Sequence, residues 1–139
     1  MAKTFELKVT DPDGIVYETD KATSLIIPSA GGFMGILADH APVIAELQLG
    51  VATLLEEGKE PLRIVVSGGF VEVLDNTVMM LAEAAEREDE IDTERAERAK
   101  EHALKLLEDH TRPDYDRVQA RLDRALLRLK VAGVSARRK

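Results

Sequence analysis

Cysteine is absent from this 139-residue sequence, which excludes a disulfide framework and any zinc site built on cysteine. No apolar run approaches the ~20 residues that cross a bilayer, and the start, MAKTFELKVTD, lacks the apolar core of a secretory signal. We therefore expect a soluble cytoplasmic protein, or one held at a membrane by partners. The net charge of −7 argues against indiscriminate nucleic-acid binding by the whole surface.

Glycine is scarce in the second part of the chain, and the charge changes at the same place. Residues 1–85 contain eight of the nine glycines and carry a net charge of −8, whereas residues 86–139 contain one glycine and carry +1. The last stretch, residues 117–139, has eight lysines and arginines against a single acidic residue, Asp123. This shift in composition indicates two parts with different structures.

The first part has the pattern of short β-strands. Apolar and polar residues alternate from Phe5 to Val9, and the turn sequence Asp11-Pro12-Asp13-Gly14 follows. Further strands are predicted at residues 15–17, 25–27, 51–55, 62–66, 70–74 and 78–82. Many short strands without a long helical pattern between them indicate an antiparallel sandwich or barrel. We assign no active site to this part.

Two features of the first part invite a functional interpretation. The glycines of the segment from Gly31 to Leu37 resemble a phosphate-binding loop, but no Lys-Ser/Thr pair follows and no helix is predicted there. A backbone that needs residues without Cβ is the better explanation. His40 has no histidine or cysteine near it in sequence, so a structural or partner-contacting role is favoured over metal binding.

The second part predicts two helices. Asp92 is a suitable N-cap for a helix that starts at Thr93, and Pro113 separates this helix from another that starts near Asp114 or Tyr115. The apolar face of the first helix comprises Ala96, Ala99, Ala103, Leu106 and Leu107, and that of the second comprises Val118, Leu122, Ala125, Leu126 and Leu129. Alanine buries little area, so the antiparallel hairpin should be marginally stable alone.

Arginines occupy unusual places in both helices. Arg95 stands where a capping box has Glu or Gln, which sets a cation near the positive end of the helix dipole. On the second helix Arg117, Arg121, Arg124 and Arg128 fall within a sector of about 60°. A solvated basic face is one interpretation. The other, which we favour, is a site for an anion or an acidic partner, because aligned guanidinium groups repel one another without an anion.

Several motifs in order along the chain resemble one family. They are Val9-Thr10, Asp13-Gly14 and Val16-Tyr17 in the first strands, Gly35-Ile36-Leu37 with His40-Ala41-Pro42, the segment Ser67-Gly68-Gly69-Phe70-Val71-Glu72-Val73, and Ala84-Ala85-Glu86. Together they identify the chain as similar to the ε subunit of bacterial F-type ATP synthase, which is called δ in mitochondria.

The resemblance implies an α+β fold, with an N-terminal antiparallel β-sandwich of about ten strands and a C-terminal antiparallel helical hairpin. We expect a docking domain at residues 1–86, a linker at 87–91 and a regulatory hairpin with a basic tail at 92–139. The family is a non-catalytic part of the rotor, bound to the γ subunit and the ring of c subunits. It reaches the cytoplasmic face of the bacterial plasma membrane only through the complex. Gly35 and His40 belong to the family signature and are expected to contact partners.

The resemblance also implies regulation by the hairpin. In bacteria it either folds against the sandwich or extends along γ into the catalytic head of α and β subunits, where its basic second helix, here with Arg117 and Arg121, meets acidic loops of the β subunits and blocks ATP hydrolysis. Members that bind ATP carry I/L-D-x-x-R-A at the start of the first helix, matched here by Ile91, Asp92, Arg95 and Ala96.

The expected ATP site places adenine against Ile91 and Asp92 and the phosphates against Arg95. Glu86 matches the acidic residue that helps to form the site, while Arg124 and Arg128 match arginines of the second helix. One position departs from some ATP-binding members, which have another arginine where this chain has His102. ATP is expected as a regulatory ligand and not as a catalytic cofactor.

Two other functions are compatible with the residues alone. The first is a free-standing binding module whose basic hairpin contacts RNA or an acidic protein, although no aromatic residues accompany the arginines for base stacking. The second is a small β-sandwich enzyme, which requires a catalytic constellation around His40 that the sequence does not supply.

Overall fold

The computed structural model describes the backbone of residues 3–138 and the side chains of residues 3–133. The basic side chains expected in the tail beyond residue 133 therefore lie outside the described residues. The chain divides between Arg87 and Glu88 into two compact units, which we call the β unit and the helical unit. The segment expected as a linker at 87–91 holds the last residue of a strand and a short 3-10 helix, Glu88–Glu90.

Nine strands form the described part of the β unit. They are β1 (Phe5–Asp11), β2 (Gly14–Ser29), β3 (Gly32–Leu37), β4 (Val43–Leu47), β5 (Gly50–Glu56), β6 (Leu62–Val66), β7 (Gly69–Leu74), β8 (Thr77–Ala82) and β9 (Ala85–Arg87). The expected sandwich of about ten strands is confirmed. The separate strands predicted at 15–17 and 25–27 are wrong, because both belong to the sixteen-residue β2. Strands β3, β4 and β9 were not predicted individually.

The strand order is β1-β8-β7-β4-β2-β5-β6-β9, with β3 paired to β2 and a further pairing of β1 with β2. The long β2 thus takes part in both layers: its first half pairs with β1, and its second half pairs with β3 and β5. All these pairings are antiparallel except one, since β1 and β8 run parallel. The antiparallel prediction holds for the rest of the sheet.

One apolar core lies between the layers of the β unit. Its largest fully buried side chains come from six strands and include Phe5, Leu7, Leu25, Ile27, Ile36, Leu54, Ile64 and Met80. These residues occupy alternate positions of their strands, as the pleat of a half-buried strand requires. The predicted alternation from Phe5 to Val9 is confirmed, since Phe5, Leu7 and Val9 are all buried.

Two helices follow, α1 (Thr93–Leu106) and α2 (Tyr115–Arg138). The predicted N-cap is confirmed, because Asp92 has an extended backbone and its Oδ1 accepts a hydrogen bond from the Arg95 backbone N–H at 3.0 Å. The connecting loop is held by a paired Arg112 and Asp114, whose two hydrogen bonds are 2.9 and 3.1 Å long. The helices pack on each other as the predicted hairpin.

The core of the hairpin is small, and two of its predicted members are wrong. Ala103, Val118 and Leu122 form the buried cluster, with Leu106 and Leu107 packed against it. Ala99 is exposed, and Leu126 is 45% exposed. The half-buried residue next to Ala99 is Lys100, whose aliphatic stem can cover apolar surface while its ammonium group stays in water. Ala96, Ala125 and Val131 are also buried.

Candidate functional site

An exposed apolar surface lies on the side of β4, β7 and β8 that faces away from the core. We call it the outer face and define it by Ile44, Phe70, Leu74 and Leu81, which are 70%, 55%, 48% and 52% exposed. Phe70 is the cross-strand partner of both Leu81 and Glu46, and Ile44 is the partner of Glu72. The patch is therefore contiguous and carries carboxylates between its apolar side chains. Contiguous exposed apolar patches of this kind mark interaction surfaces.

Sequence reasoning missed the outer face, although a signal was present. Strands β7 and β8 read GFVEVL and TVMMLA, so apolar residues stand at outward as well as inward positions. A strand with only one buried face alternates apolar and polar residues, whereas a strand covered on both faces is continuously apolar. Apolar residues at the outward positions of two neighbouring strands thus indicate a surface that a partner covers.

The loop that carries His40 adjoins one end of this layer and is fixed by Asn76. The side chain of Asn76 donates to the Thr4 carbonyl at 3.0 Å and accepts from the Asp39 backbone N–H at 2.7 Å. Asp39 also receives an ion pair from Lys3 at 2.8 Å, and the hydrogen bond raises the pKa of Lys3. His40 itself is half-buried, with Nδ1 2.7 Å from the Ala41 carbonyl oxygen.

Gly35 lies in the middle of β3, opposite Ile26. The structural explanation offered for its glycine is wrong: a Cβ at Gly35 would meet nothing within 4 Å, and the backbone is not left-handed. The same explanation holds for Gly32, whose φ is +114°. Gly35 is exposed, so within the described residues neither crowding nor backbone conformation explains this glycine.

The residues expected to bind ATP are distributed over both units. Ile91, Asp92, Arg95 and Ala96 lie at the N-terminus of α1, where Ala96 is fully buried and the Arg95 side chain is exposed. Glu86 belongs to the β unit and lies in β9 opposite Val65.

Arg124 and Arg128 lie in the part of α2 beyond Leu122. Because α2 runs back along α1 and also contacts the 3-10 helix at Glu88–Glu90, this part of α2 passes the N-terminus of α1. Arg124 is exposed and Arg128 is half-buried. The hairpin therefore brings the second-helix arginines toward the helix start that carries Arg95.

Arg117 and Arg121 lie in the other half of α2, before Leu122, and both are exposed. They are thus separated along α2 from the arginines near Arg95. On α1, His102 is exposed seven residues after Arg95, about 10 Å along the helix axis.

Within the described residues, no group of three or more histidine, cysteine, aspartate or glutamate side chains is arranged to hold a metal ion. Between residues 3 and 138, neither helix combines the length and apolarity that a membrane crossing requires. What the described surface offers is a contiguous apolar face for a partner and cationic side chains for an anion.

A β-sandwich with an exposed apolar outer face, followed by a helical hairpin with a row of arginines on α2, is the architecture of a subunit that docks into a larger assembly. Residues 4–88 match the family model of the ATP synthase delta/epsilon chain β-sandwich domain, and residues 89–133 match that of its long α-helix domain. The chain belongs to the ATP synthase delta/epsilon chain family.

Relatives and solved structures agree with this assignment. The chain is 45% identical to the ATP synthase epsilon chain of Shouchella clausii, over 93% of this chain and 95% of the relative. It is 41% identical to that of Bacillus pumilus, over 94% and 98%. It is also similar to a chain in the cryo-EM structure of the Euglena gracilis mitochondrial ATP synthase, with a TM-score of 0.65, 25% identity and coverage of 98% and 82%.

Family membership makes this chain a non-catalytic rotor subunit in the central stalk of an F-type ATP synthase. The family predicted from the motifs is thus confirmed. The two other interpretations, a free-standing binding module and a small β-sandwich enzyme, lose their support.

Proposed function

We propose that the β unit docks this subunit onto γ through the outer face and the adjoining His40 loop. The observation that carries the proposal is the contiguous exposure of Ile44, Phe70, Leu74 and Leu81. A partner that covers these side chains removes apolar area from water, the main favourable term in protein association. The carboxylates of Glu46 and Glu72 among them favour a partner surface with lysine or arginine at its rim.

The ring of c subunits takes a second contact in this proposal, at the turn between β2 and β3. Phe33 follows Gly31-Gly32 there and is 77% exposed. Gly35 in the same strand presents bare backbone to an approaching partner. Through these contacts the subunit is held at the cytoplasmic face of the bacterial plasma membrane.

The helical unit regulates hydrolysis in our proposal. It leaves its folded position, extends along γ toward the α and β subunits, and presents Arg117 and Arg121 to acidic loops of β. The small hairpin core of Ala103, Val118 and Leu122 supports this. Because it buries little apolar area, it holds α1 against α2 only weakly, and the two helices can separate and extend. Arg117 and Arg121 are exposed on α2, so an acidic partner can contact them.

ATP would favour the folded hairpin. The N-terminus of α1 supplies amide hydrogens and a positive dipole end, and Arg95, Arg124 and Arg128 supply cations for the phosphates. Ile91 and Asp92 would contact adenine. The Oδ1 atom of Asp92 caps α1, so we expect adenine to use Oδ2. If ATP binds only the folded state, it stabilises that state by RT ln(1 + [L]/Kd).

An ATP titration of the full chain, followed by amide chemical shifts, tests the nucleotide site. We expect saturable shifts around residues 91–96 that Arg95→Ala and Arg124→Ala each abolish. Arg98→Ala is the matched control, because Arg98 is also an exposed arginine on α1 but is no part of the proposed site. Equal titrations of wild type and both site variants would remove the nucleotide site and leave the family assignment intact.

A further inference from the structure

Three side chains from different strands meet at the point where the β unit ends. Tyr17 lies in β2, Glu56 is the last residue of β5, and Arg87 is the last residue of β9. The Tyr17 hydroxyl donates a hydrogen bond to Glu56 Oε2 at 2.5 Å. The Arg87 guanidinium carbon lies 5.1 Å from the centroid of the Tyr17 ring, within the range of a cation–π interaction.

Glu56 fixes the Tyr17 ring through the hydrogen bond to its hydroxyl group. Its side chain is only 3% exposed, and Lys59 Nζ lies 3.6 Å from Oε2. Burial alone would raise the pKa of Glu56, but the hydroxyls of Thr19 and Tyr17 and the Lys59 ammonium group outweigh burial and lower it. Glu56 is therefore held as a carboxylate. Burial, and after it the hydrogen bond to Glu56, raises the pKa of Tyr17, so its hydroxyl stays protonated and donates.

Strand β9 needs such support because it is short and lies at the edge of the sheet. It has three residues and pairs with β6 alone, through Ile64 with Arg87, Val65 with Glu86 and Val66 with Ala85. A three-residue edge strand next to a separate unit is where fraying is expected. The next residue, Glu88, already belongs to the helical unit.

We propose that Arg87, seated on Tyr17 and backed by Glu56, is an anchor that stops movements of the helical unit at Glu88. We call the residue at which the chain bends when the helical unit moves the pivot. With the anchor in place the pivot is Glu88, and β9 opens only when the β unit opens. Without the anchor the pivot lies within β9, and the pairing of β9 with β6 is lost whenever the helical unit moves. That the helical unit moves rests on the proposed function. The position of the pivot is a property of the isolated chain.

Hydrogen exchange of the full chain, read residue by residue at neutral pH, locates the pivot. In the wild type the amides of Ala85–Arg87 should open with the same free energy as β6. In Arg87→Ala their protection should fall by about 2- to 30-fold, the range of a cation–π contact, toward that of the helical unit. Tyr17→Phe keeps the ring but loses the bond to Glu56, so its loss should be smaller. Arg98→Ala, which removes an exposed arginine of α1, should change nothing at β9.

Three results would overturn the anchor. They are wild-type β9 amides that already exchange with α1, unchanged protection of β9 in Arg87→Ala, and a uniform loss of protection across β1, β7 and β8 in both Arg87→Ala and Tyr17→Phe. The uniform loss would mean that the cluster serves general stability. None of these outcomes depends on nucleotide. If the chain does not bind ATP, the proposal that ATP is a regulatory ligand is refuted, while this test of the anchor still stands.

Discussion

Replacing Phe70 by alanine should weaken docking of the subunit onto γ without unfolding it. A phenylalanine side chain carries roughly 200 Å², and Phe70 is 55% exposed. A partner that covers the ring completely would thus remove roughly 110 Å² of apolar area from water, worth about 2.7 kcal/mol at ~25 cal/mol per Å². Alanine retains part of this contact, so we expect a loss of about 2 kcal/mol, or roughly 30-fold in affinity.

The assay is the dissociation constant for a catalytic complex that contains γ but lacks this subunit, measured by titration of the purified full chain. Leu81→Ala should also weaken binding, and the double variant should lose less than the sum, because Phe70 and Leu81 are cross-strand neighbours. Leu55→Ala is the control, since Leu55 is 39% exposed but lies on β5 in the other layer.

Thermal unfolding of each variant separates docking from folding. Because Phe70 already faces water in the isolated chain, its truncation should leave the melting temperature nearly unchanged. Affinities of Phe70→Ala and Leu81→Ala within twofold of the wild type would show that γ does not use the outer face. A loss of affinity equal to that in Leu55→Ala would also contradict the assignment of this surface.

Four further predictions concern stability and assembly. Gly69→Ala should lower the unfolding free energy of the β unit by several kcal/mol or prevent folding, because φ is +112° and a Cβ would lie 2.1 Å from the Leu81 carbonyl oxygen. Gly35→Ala should leave the melting temperature unchanged yet impair assembly with the ring of c subunits. A Gly35→Ala variant that is stable and assembles fully would contradict the proposed contact. Asp92→Ala should destabilise α1 by ~1 kcal/mol, measured by hydrogen exchange of the α1 amides, and Asp92→Asn should retain most of the wild-type stability. Equal protection of α1 in the wild type and in Asp92→Ala would refute the capping role. Folding lowers the pKa of Glu56, so its contribution to the unfolding free energy is present above its unfolded pKa and is lost as pH falls through the folded value. Glu56→Gln should therefore flatten the acid limb of a plot of unfolding free energy against pH. The same acid limb in the wild type and in Glu56→Gln would contradict this.

Local sequence patterns were sufficient where one residue decides the geometry. Asp92 before an apolar periodicity located the start of α1, and Pro113 located the break before α2. The alternation in β1 reported its buried face directly. Each of these features depends on interactions within a few residues, which the sequence displays without tertiary information.

Long-range pairing was beyond such patterns. The parallel contact of β1 with β8 joins strands about seventy residues apart, and no turn residue encodes it. The continuity of β2 was missed because its apolar segments at 15–17 and 25–27 are separated by polar residues, whereas the strand runs on through them with an irregular register against β1 between Thr19 and Ala22. The exposure of Ala99, with Lys100 half-buried next to it, was missed for a related reason, since the rotation of α1 is set by its packing on α2.

The position of β1 bears on the order in which the chain acquires its structure. The first strand is complete only when β8, residues Thr77–Ala82, is present to pair with it. During synthesis the pairing of β1 with β8 must therefore wait until more than half of the polypeptide has emerged, whereas α1 and α2, which follow each other in the chain, pack on each other. Contacts of such separation slow folding, and local helical contacts form quickly. Since β2 already pairs with one side of β1, conditions that delay closure of the sandwich should leave the β8 side of the N-terminal strand as an exposed, aggregation-prone edge of a nascent subunit.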